Sequence, residues 1–103
     1  MIVKITPNGK EKNVPSGKLA DAEVHFTDGP MQGLKLIGFT VWERRTGDGR
    51  NVTFPARQYL VNGERRTFAL LRPINGDATA QDRIRELILE AYSEFEQNAA
   101  MSA

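Results

Sequence analysis

Apolar and polar residues alternate along much of the chain before residue 72, which is the pattern of strands that bury one face. Ile2 to Thr6 predicts a first strand. Leu19 to Thr27 predicts a second, whose apolar face carries Ala20, Ala22, Val24 and Phe26. Leu34 to Arg45 has apolar residues on both faces. We therefore predict a central strand that is covered twice, on one side by a helix and on the other by a partner subunit or a long loop.

Glycine and proline mark the ends of the predicted strands. DGPMQG (28–33), TGDGR (46–50) and Asn62-Gly63 predict tight connections between antiparallel neighbours. Val52 and Phe54 predict a fourth strand that Pro55 either ends or leaves at a sheet edge, and short runs at 59–61 and 67–71 predict the last pair. Gly38, inside the third strand, indicates a bulge or a close backbone approach. The polar run 7–18 predicts a loop or a long hairpin connection.

The C-terminal segment predicts an amphipathic helix over residues 77–98. Its apolar stripe has helical spacing and consists of Ile84, Leu87, Ile88, Ala91, Tyr92 and Phe95. Thr79 and Asp82 predict a capping box in its acidic variant, and the terminal NAAMSA is expected to fray.

Together these elements predict a single α+β domain over residues 1–103. Residues 1–18 contribute an N-terminal strand and a loop, and residues 19–72 contribute the antiparallel sheet. The sheet is predicted to have about five strands, with the C-terminal helix packed on one face.

Charge is divided unequally along the chain. The formal net charge is only +1, but residues 1–76 carry +5 and residues 77–103 carry −4. This asymmetry predicts a polyanionic partner for the sheet region. The alternative is that basic strands and an acidic helix attract each other within the fold.

The candidate binding residues are arginines next to predicted turns, where long cationic side chains reach a common surface. They are Arg50, Arg57, Arg65 and Arg66, with Arg83 and Arg85 as secondary candidates. Neighbours on a strand point to opposite faces, so only one arginine of an adjacent pair is expected on a given face. Such a cluster is suited to contacting phosphates. The alternative is that these arginines keep the sheet soluble, some of them pairing with Glu43, Asp48 and Glu64.

Tyr59 is the aromatic residue predicted to stack on a nucleic-acid base, because it lies near Arg57. Trp42, Phe54 and Phe68 are interpreted as core residues. Arg72 has two open interpretations, since it is as suited to binding loop carbonyls or Asp77 as to reaching a ligand.

Catalytic and metal chemistry have little support in the sequence. The chain has no cysteine, and its one histidine, His25, is interpreted as a solvated surface residue. Asp28, Asp48 and Asp77 adjoin glycines in predicted turns, where aspartates bind local backbone. We expect no catalytic residue, metal, cofactor or small-molecule substrate. Because no apolar run suits a signal peptide or a membrane span, we expect a cytoplasmic protein without a membrane partner.

Four segments, taken in order, resemble the stage V sporulation protein G family, also called the septation-regulator family. They are LKLIGFTVWER, VTFPARQY, VNGERRTFALLRPIN and RIRELILEAY, and the resemblance covers Leu19 to Phe95. The chain departs from the family pattern at Arg72, where the family has histidine.

The resemblance implies a small bacterial regulator of transcription, septation or sporulation that binds DNA and, as a second candidate ligand, RNA. It also implies a homodimer formed through strand edges. The alternative function is a non-enzymatic protein-interaction or scaffold module that uses a strand edge or the acidic face of the helix. That face carries Glu86, Glu90, Glu94 and Glu96.

Overall fold

A computed structural model describes residues 1–9 and 14–101, so part of the predicted 7–18 loop and the last two residues of the chain lie outside the described residues. The strands are β1 (Ile2–Pro7), β2 (Lys18–His25), β3 (Lys35–Glu43), β4 (Arg50–Thr53), β5 (Ala56–Val61) and β6 (Glu64–Ala69), and the helix is α1 (Thr79–Met101). The predicted α+β class is confirmed. The helix continues to Met101, past its predicted end at residue 98.

The strands form two antiparallel sheets, whereas one sheet of about five strands was predicted. β1 to β4 make a four-stranded sheet in chain order, and β5 and β6 make a separate two-stranded hairpin. The division falls at Pro55. Proline has no N–H to donate to a strand ladder, so β4 ends and the chain leaves the sheet there. The Leu70 N–H donates to the Pro55 carbonyl at 3.0 Å and closes the base of the hairpin. We call residues 56–69 the arm.

The core lies between the four-stranded sheet and α1. Its buried side chains come from β2, β3, β4 and α1 and are Ala20, Ala22, Val24, Phe39, Val41, Val52, Ile88 and Tyr92. The predicted inward face of β2 is thereby confirmed at its three buried residues. Leu87, from the predicted helical stripe, lies at the margin and is 41% exposed. The predicted second cover of β3 is not present in the described residues, where Ile37 is 64% exposed.

Gly38 occupies a distorted position in β3. The β2–β3 register shifts between Ala22 and Val24, opposite this glycine, so the predicted bulge is confirmed. Gly38 has a φ of +105°, and a Cβ at this position would lie 3.1 Å from the Pro55 Cβ. The predicted close approach is therefore also present, and it packs β3 against the residue from which the arm leaves the sheet.

Gly38→Ala is expected to lower the free energy of unfolding by about 1–3 kcal/mol, because alanine is strained at this φ and Pro55 must shift. Thermal unfolding followed by circular dichroism measures the loss. The matched control is Gly29→Ala, at a φ of +74° with no atom within 4 Å of the added Cβ, which isolates the backbone cost. If both variants lose the same stability, contact with Pro55 is not the reason for glycine at residue 38.

Asp77 caps the N-terminus of α1. Its Oδ1 accepts hydrogen bonds from the Thr79 hydroxyl at 2.6 Å and from the Thr79 backbone N–H at 3.0 Å. The predicted capping box is wrong, because Thr79 is the first helical residue and Asp82 pairs with Arg85 at 2.6 Å. The hydroxyl hydrogen bond, followed by the backbone one, lowers the pKa of Asp77 below its ordinary value of 3.8.

Asp77 is expected to make the stability pH-dependent in the acid range. A carboxyl group whose pKa is lower in the folded state contributes stability that is fully present above the unfolded pKa, near 3.8. This stability is lost as the pH falls through the folded value. Asp77→Asn keeps an acceptor oxygen but cannot titrate, so its free energy of unfolding should fall less than that of the wild type between about pH 5 and pH 2. Urea unfolding measures both curves, and parallel curves would rule out this role.

Candidate nucleic-acid interface

The turn of the arm fixes the register of its two strands. Asn62 and Gly63 have φ values of +51° and +80°, as in the two-residue turn predicted from Asn-Gly. This turn places Val61 opposite Glu64, and the pairing continues without a shift to the base of the arm. Directly opposed residues of an antiparallel pair point to the same face, so the register assigns every arm residue to one of two faces.

One face of the arm alternates arginine with aromatic side chains. Arg57 lies opposite Phe68, and Tyr59 lies opposite Arg66. Since residues two apart on a strand share a face, all four side chains lie together. Arg72 follows the arm, and its guanidinium carbon lies 4.8 Å from the centroid of the Phe68 ring. We call these five residues the basic aromatic face.

The basic aromatic face is open to solvent. Every residue of β5 and β6 is exposed, with Tyr59 at 41% and Phe68 at 46%. The interpretation of Phe68 as a core residue is therefore wrong. The physical reason is that the arm leaves the sheet at Pro55, so that in the described part of the chain nothing packs over its strands.

The other two predicted core aromatics are half-buried on the main sheet. Phe54 meets the buried Phe39 edge to face, with ring centroids 5.2 Å apart. The Trp42 Nε1–H donates to the Thr53 hydroxyl at 2.9 Å. Neither ring belongs to the arm.

The positive charge of the basic aromatic face is largely uncompensated. Among the described residues, Arg57 takes part in no ion pair. Arg66 Nη2 lies 3.6 Å from Glu64 Oε2, in an exposed pair that water screens. Arg72 lies over the Phe68 ring of the arm, a contact that neither interpretation of this residue anticipated.

Arg65 lies on the opposite face of the arm. Its cross-strand partner is Leu60, and the same face carries Ala56 and Ala69 at the base. The expectation that only one arginine of an adjacent pair occupies a given face is confirmed here. Arg66, and not Arg65, lies with Arg57 and the aromatic rings.

Arg50 lies apart from the arm, at the start of β4. Its Nη2 is 2.8 Å from Glu96 Oε2, and its guanidinium carbon is 5.2 Å from the centroid of the Tyr92 ring. Both contacts join β4 to α1. For this residue the attraction between basic strands and acidic helix, left open by the charge pattern, is what the structure shows.

The two helix arginines have different surroundings. Arg85 Nη1 is 2.6 Å from Asp82 Oδ1, and its guanidinium carbon is 5.2 Å from the centroid of the Phe54 ring. Arg83 is exposed, and no ion pair involves it in the described ranges. The structure does not bring either residue into the basic aromatic face.

His25 is half-buried, which corrects its interpretation as a solvated residue. Its Nε2 lies 3.4 Å from Glu23 Oε2, and Lys35 Nζ lies 2.9 Å from the same oxygen. The hydrogen bond with Lys35 is the main cause that lowers the pKa of Glu23, against the opposing effect of burial. In the described residues, no cluster of three or more histidine, cysteine or acidic side chains is arranged to hold a metal ion.

Comparison with known proteins found no matching protein family, no matching curated protein and no matching solved structure. The resemblance to the stage V sporulation protein G family therefore stays a prediction. Within the described residues, no helix is both long enough and apolar enough to cross a membrane.

Sequence reasoning missed Phe68 and Arg72 as members of the basic aromatic face. A usable signal for Phe68 was present. A two-residue turn at Asn62-Gly63 requires Val61 to oppose Glu64, and counting outward from that pair places Phe68 opposite Arg57. Arg72 lies beyond the strands, so counting along the ladder does not reach it.

Proposed function

We propose that this chain is a small, non-enzymatic bacterial regulator that binds nucleic acid through the basic aromatic face. The observation that carries the proposal is the shared exposed face of Arg57, Arg66, Tyr59 and Phe68. DNA and RNA are the candidate ligands, and the expected location is the cytoplasm. Arg83 and Arg85 are assigned secondary roles and Arg50 a structural one, whereas Arg65 lies on the face of the arm assigned below to the dimer contact.

Phosphate groups match the arginines of this face. A guanidinium group donates two parallel hydrogen bonds to phosphate oxygens, which fixes direction as well as charge. Arg57 and Arg66 are diagonal neighbours in the ladder. The Cα atoms of such neighbours lie about 7–8 Å apart, so both side chains reach one nucleic-acid backbone. Each phosphate contact releases counterions, and binding therefore weakens as salt rises.

The placement of negative charge favours the same face. Glu90 and Glu94 line a groove between β1 and α1. Strand β1 lies at the far edge of the four-stranded sheet from β4, the strand that leads into the arm. The Glu96 carboxylate is paired with Arg50, whose Nη2 lies 2.8 Å from Glu96 Oε2. Glu90 and Glu94 thus lie beside the strand farthest from β4 in the sheet, whereas Glu64 lies on the same face of the arm as Arg66 and pairs with it.

We further propose that the protein acts as a homodimer in which the second face of the arm packs on a second copy. That face carries Leu60, which is 69% exposed, the small side chains of Ala56 and Ala69, and the polar side chains of Gln58, Arg65 and Thr67. A two-stranded hairpin alone in water is at best marginally stable. A second copy also supplies the cover predicted for β3 at Ile37. Two-fold pairing duplicates the basic aromatic face, so that two modest patches act together.

Fluorescence anisotropy tests the binding proposal, using labelled mixed-sequence duplex DNA and single-stranded RNA at about 50 mM and about 200 mM salt. We expect a dissociation constant of about 1–100 µM or lower at low salt, weakening steeply at high salt. Absence of binding to both ligands at low salt would overturn the proposal.

A specific observation favours the alternative, a protein-interaction module. The groove between the free edge of β1 and α1 is apolar at Val3, Leu87 and Ala91 and acidic at Glu90 and Glu94. It is suited to a basic, amphipathic segment of a protein partner. Salt-insensitive binding of such a segment, together with no binding to generic DNA, would favour this function.

A further inference from the structure

We propose that the basic aromatic face selects unpaired, single-stranded nucleic acid by stacking bases on Tyr59 and Phe68. The inference rests on the proposed nucleic-acid function and adds the class of strand that is bound. The rings carry no charge. Replacing them is therefore expected to affect binding differently from removing the phosphate contacts of the arginines.

The rings of Tyr59 and Phe68 are exposed to solvent. Tyr59 and Phe68 retain 41% and 46% of their accessible surface although they are diagonal neighbours on one face. A sheet that buries one face normally turns its aromatic side chains inward. Here the arm places both rings outward beside arginines. The rings can therefore meet a ligand without any rearrangement of the core.

Arginine and aromatic side chains follow one another on this face of each strand of the arm. Arg57 and Tyr59 occupy this face of β5, and Arg66 and Phe68 occupy it on β6. Each nucleotide of a single strand likewise offers a phosphate and a base, and an unpaired base exposes the faces of its ring. Proteins that bind single strands without strong sequence preference combine a basic track with aromatic stacking platforms. The basic aromatic face has both components within one hairpin.

Arg72 lies against the ring of Phe68. Its guanidinium carbon lies 4.8 Å from the Phe68 centroid, which is the geometry of a cation–π contact. The contact covers one face of the ring and restricts its rotation. The ring is still 46% exposed, so surface remains for a base.

The competing possibility is that the arm enters the major groove of duplex DNA, as two-stranded ribbons do. Such ribbons read base edges with polar side chains, and the base faces of a duplex are hidden in the stack. On the basic aromatic face, two of the four central positions carry rings. Duplex DNA would contact the arginines of this face but would not stack on the rings. We therefore favour the single strand as the ligand.

The test compares a mixed-sequence single-stranded 16-mer, as RNA and as DNA, with the matching duplex, by fluorescence anisotropy at one salt concentration. The variants are Tyr59→Leu and Phe68→Leu, which keep apolar bulk but remove the ring. The matched controls are Tyr59→Phe and Phe68→Tyr, which keep the ring. Circular dichroism and thermal unfolding establish that all four variants are folded.

We expect the wild type to prefer the single strand, and each leucine variant to bind it about tenfold or more weakly with an unchanged salt slope. The ring-keeping controls should retain most of the single-strand affinity that the leucine variants lose, and the leucine variants should lose less affinity for the duplex than for the single strand. In a single strand labelled with 2-aminopurine, stacking should quench the fluorescence of the base analogue, and the leucine variants should lose that quenching.

The inference is overturned if the duplex binds as tightly as the single strand, or if the leucine variants bind the single strand within about twofold of the wild type. Either result leaves the proposed nucleic-acid function standing, with the arginines as its basis. Absence of binding to every oligonucleotide at low salt overturns the proposed function itself, and the inference with it.

Discussion

Arg57→Ala combined with Arg66→Ala is expected to weaken nucleic-acid binding at least about tenfold at physiological salt. The two guanidinium groups share an exposed face, and Arg57 takes part in no ion pair among the described residues. Each lost phosphate contact should also reduce the slope of log affinity against log salt by about 0.9 on duplex DNA, or about 0.7 on a single strand. Anisotropy titrations at several salt concentrations give both quantities. A change in affinity with an unchanged slope would mean that these arginines do not contact phosphates.

The control for this double variant is Arg44→Ala combined with Arg45→Ala. These arginines lie in the connection between β3 and β4, at the opposite end of β4 from Pro55 and the arm. The control removes the same total charge, so it reports the effect of net charge alone. We expect its affinity and salt slope to stay close to the wild-type values. An equal loss in both double variants would show that binding follows overall charge and not the basic aromatic face.

Leu60→Lys is expected to weaken the homodimer by about 30-fold or more, because it places a second, unpaired positive charge beside Arg65 in the proposed interface. The wild type should sediment at equilibrium with twice the 11.5 kDa mass of one chain, and the variant with the mass of one chain. The variant should also bind nucleic acid more weakly although it gains a positive charge, since a single arm presents half the contacts.

Leu60→Met is the matched control for the dimer, because it keeps apolar bulk at the same position. It should remain a dimer and bind nucleic acid as the wild type does. A wild-type protein that is monomeric at concentrations well above those used for binding would contradict the proposed assembly. A dimer that tolerates lysine at residue 60 would show that the arm is not part of the interface and would leave the exposed face of β3 as the contact.

The parts of the fold that were predicted from the sequence depend on local patterns. Alternation located the buried face of β2, and the helical stripe located Ile88 and Tyr92. Gly38 signalled a bulge or a close approach, although not that Pro55 is the residue it meets, and Asn62-Gly63 signalled the turn of the arm. Each of these signals involves residues that are close in sequence, where backbone geometry limits the possibilities.

The division into two sheets was not predictable in the same way. Pro55 signalled the end of a strand, but alternation does not tell whether the next hairpin returns to the sheet. Phe68 was assigned to the core for this reason: the pattern separates two faces without showing which of them is covered. The partner of Arg50 was equally hidden, because Glu96 lies 46 residues further along the chain.

The candidate site was predicted in part. Arg57, Tyr59 and Arg66 were chosen because they lie close to turn signals, and the structure places them on one face. Arg65 was chosen with them but lies on the other face, because successive side chains on a strand point to opposite faces. The chemistry of the site thus depends on one register, which the two-residue turn determines.

The most direct test of the account is mapping of the binding site by nuclear magnetic resonance with isotopically labelled protein and a single-stranded RNA. The account predicts that amide and arginine Nε signals of residues 56–69, together with Arg72, change most on titration. The signals of Glu90, Glu94 and their neighbours in the groove between β1 and α1 should change little. The largest changes in that groove, or no changes in the arm at saturating RNA, would contradict the claim that the arm is the nucleic-acid interface.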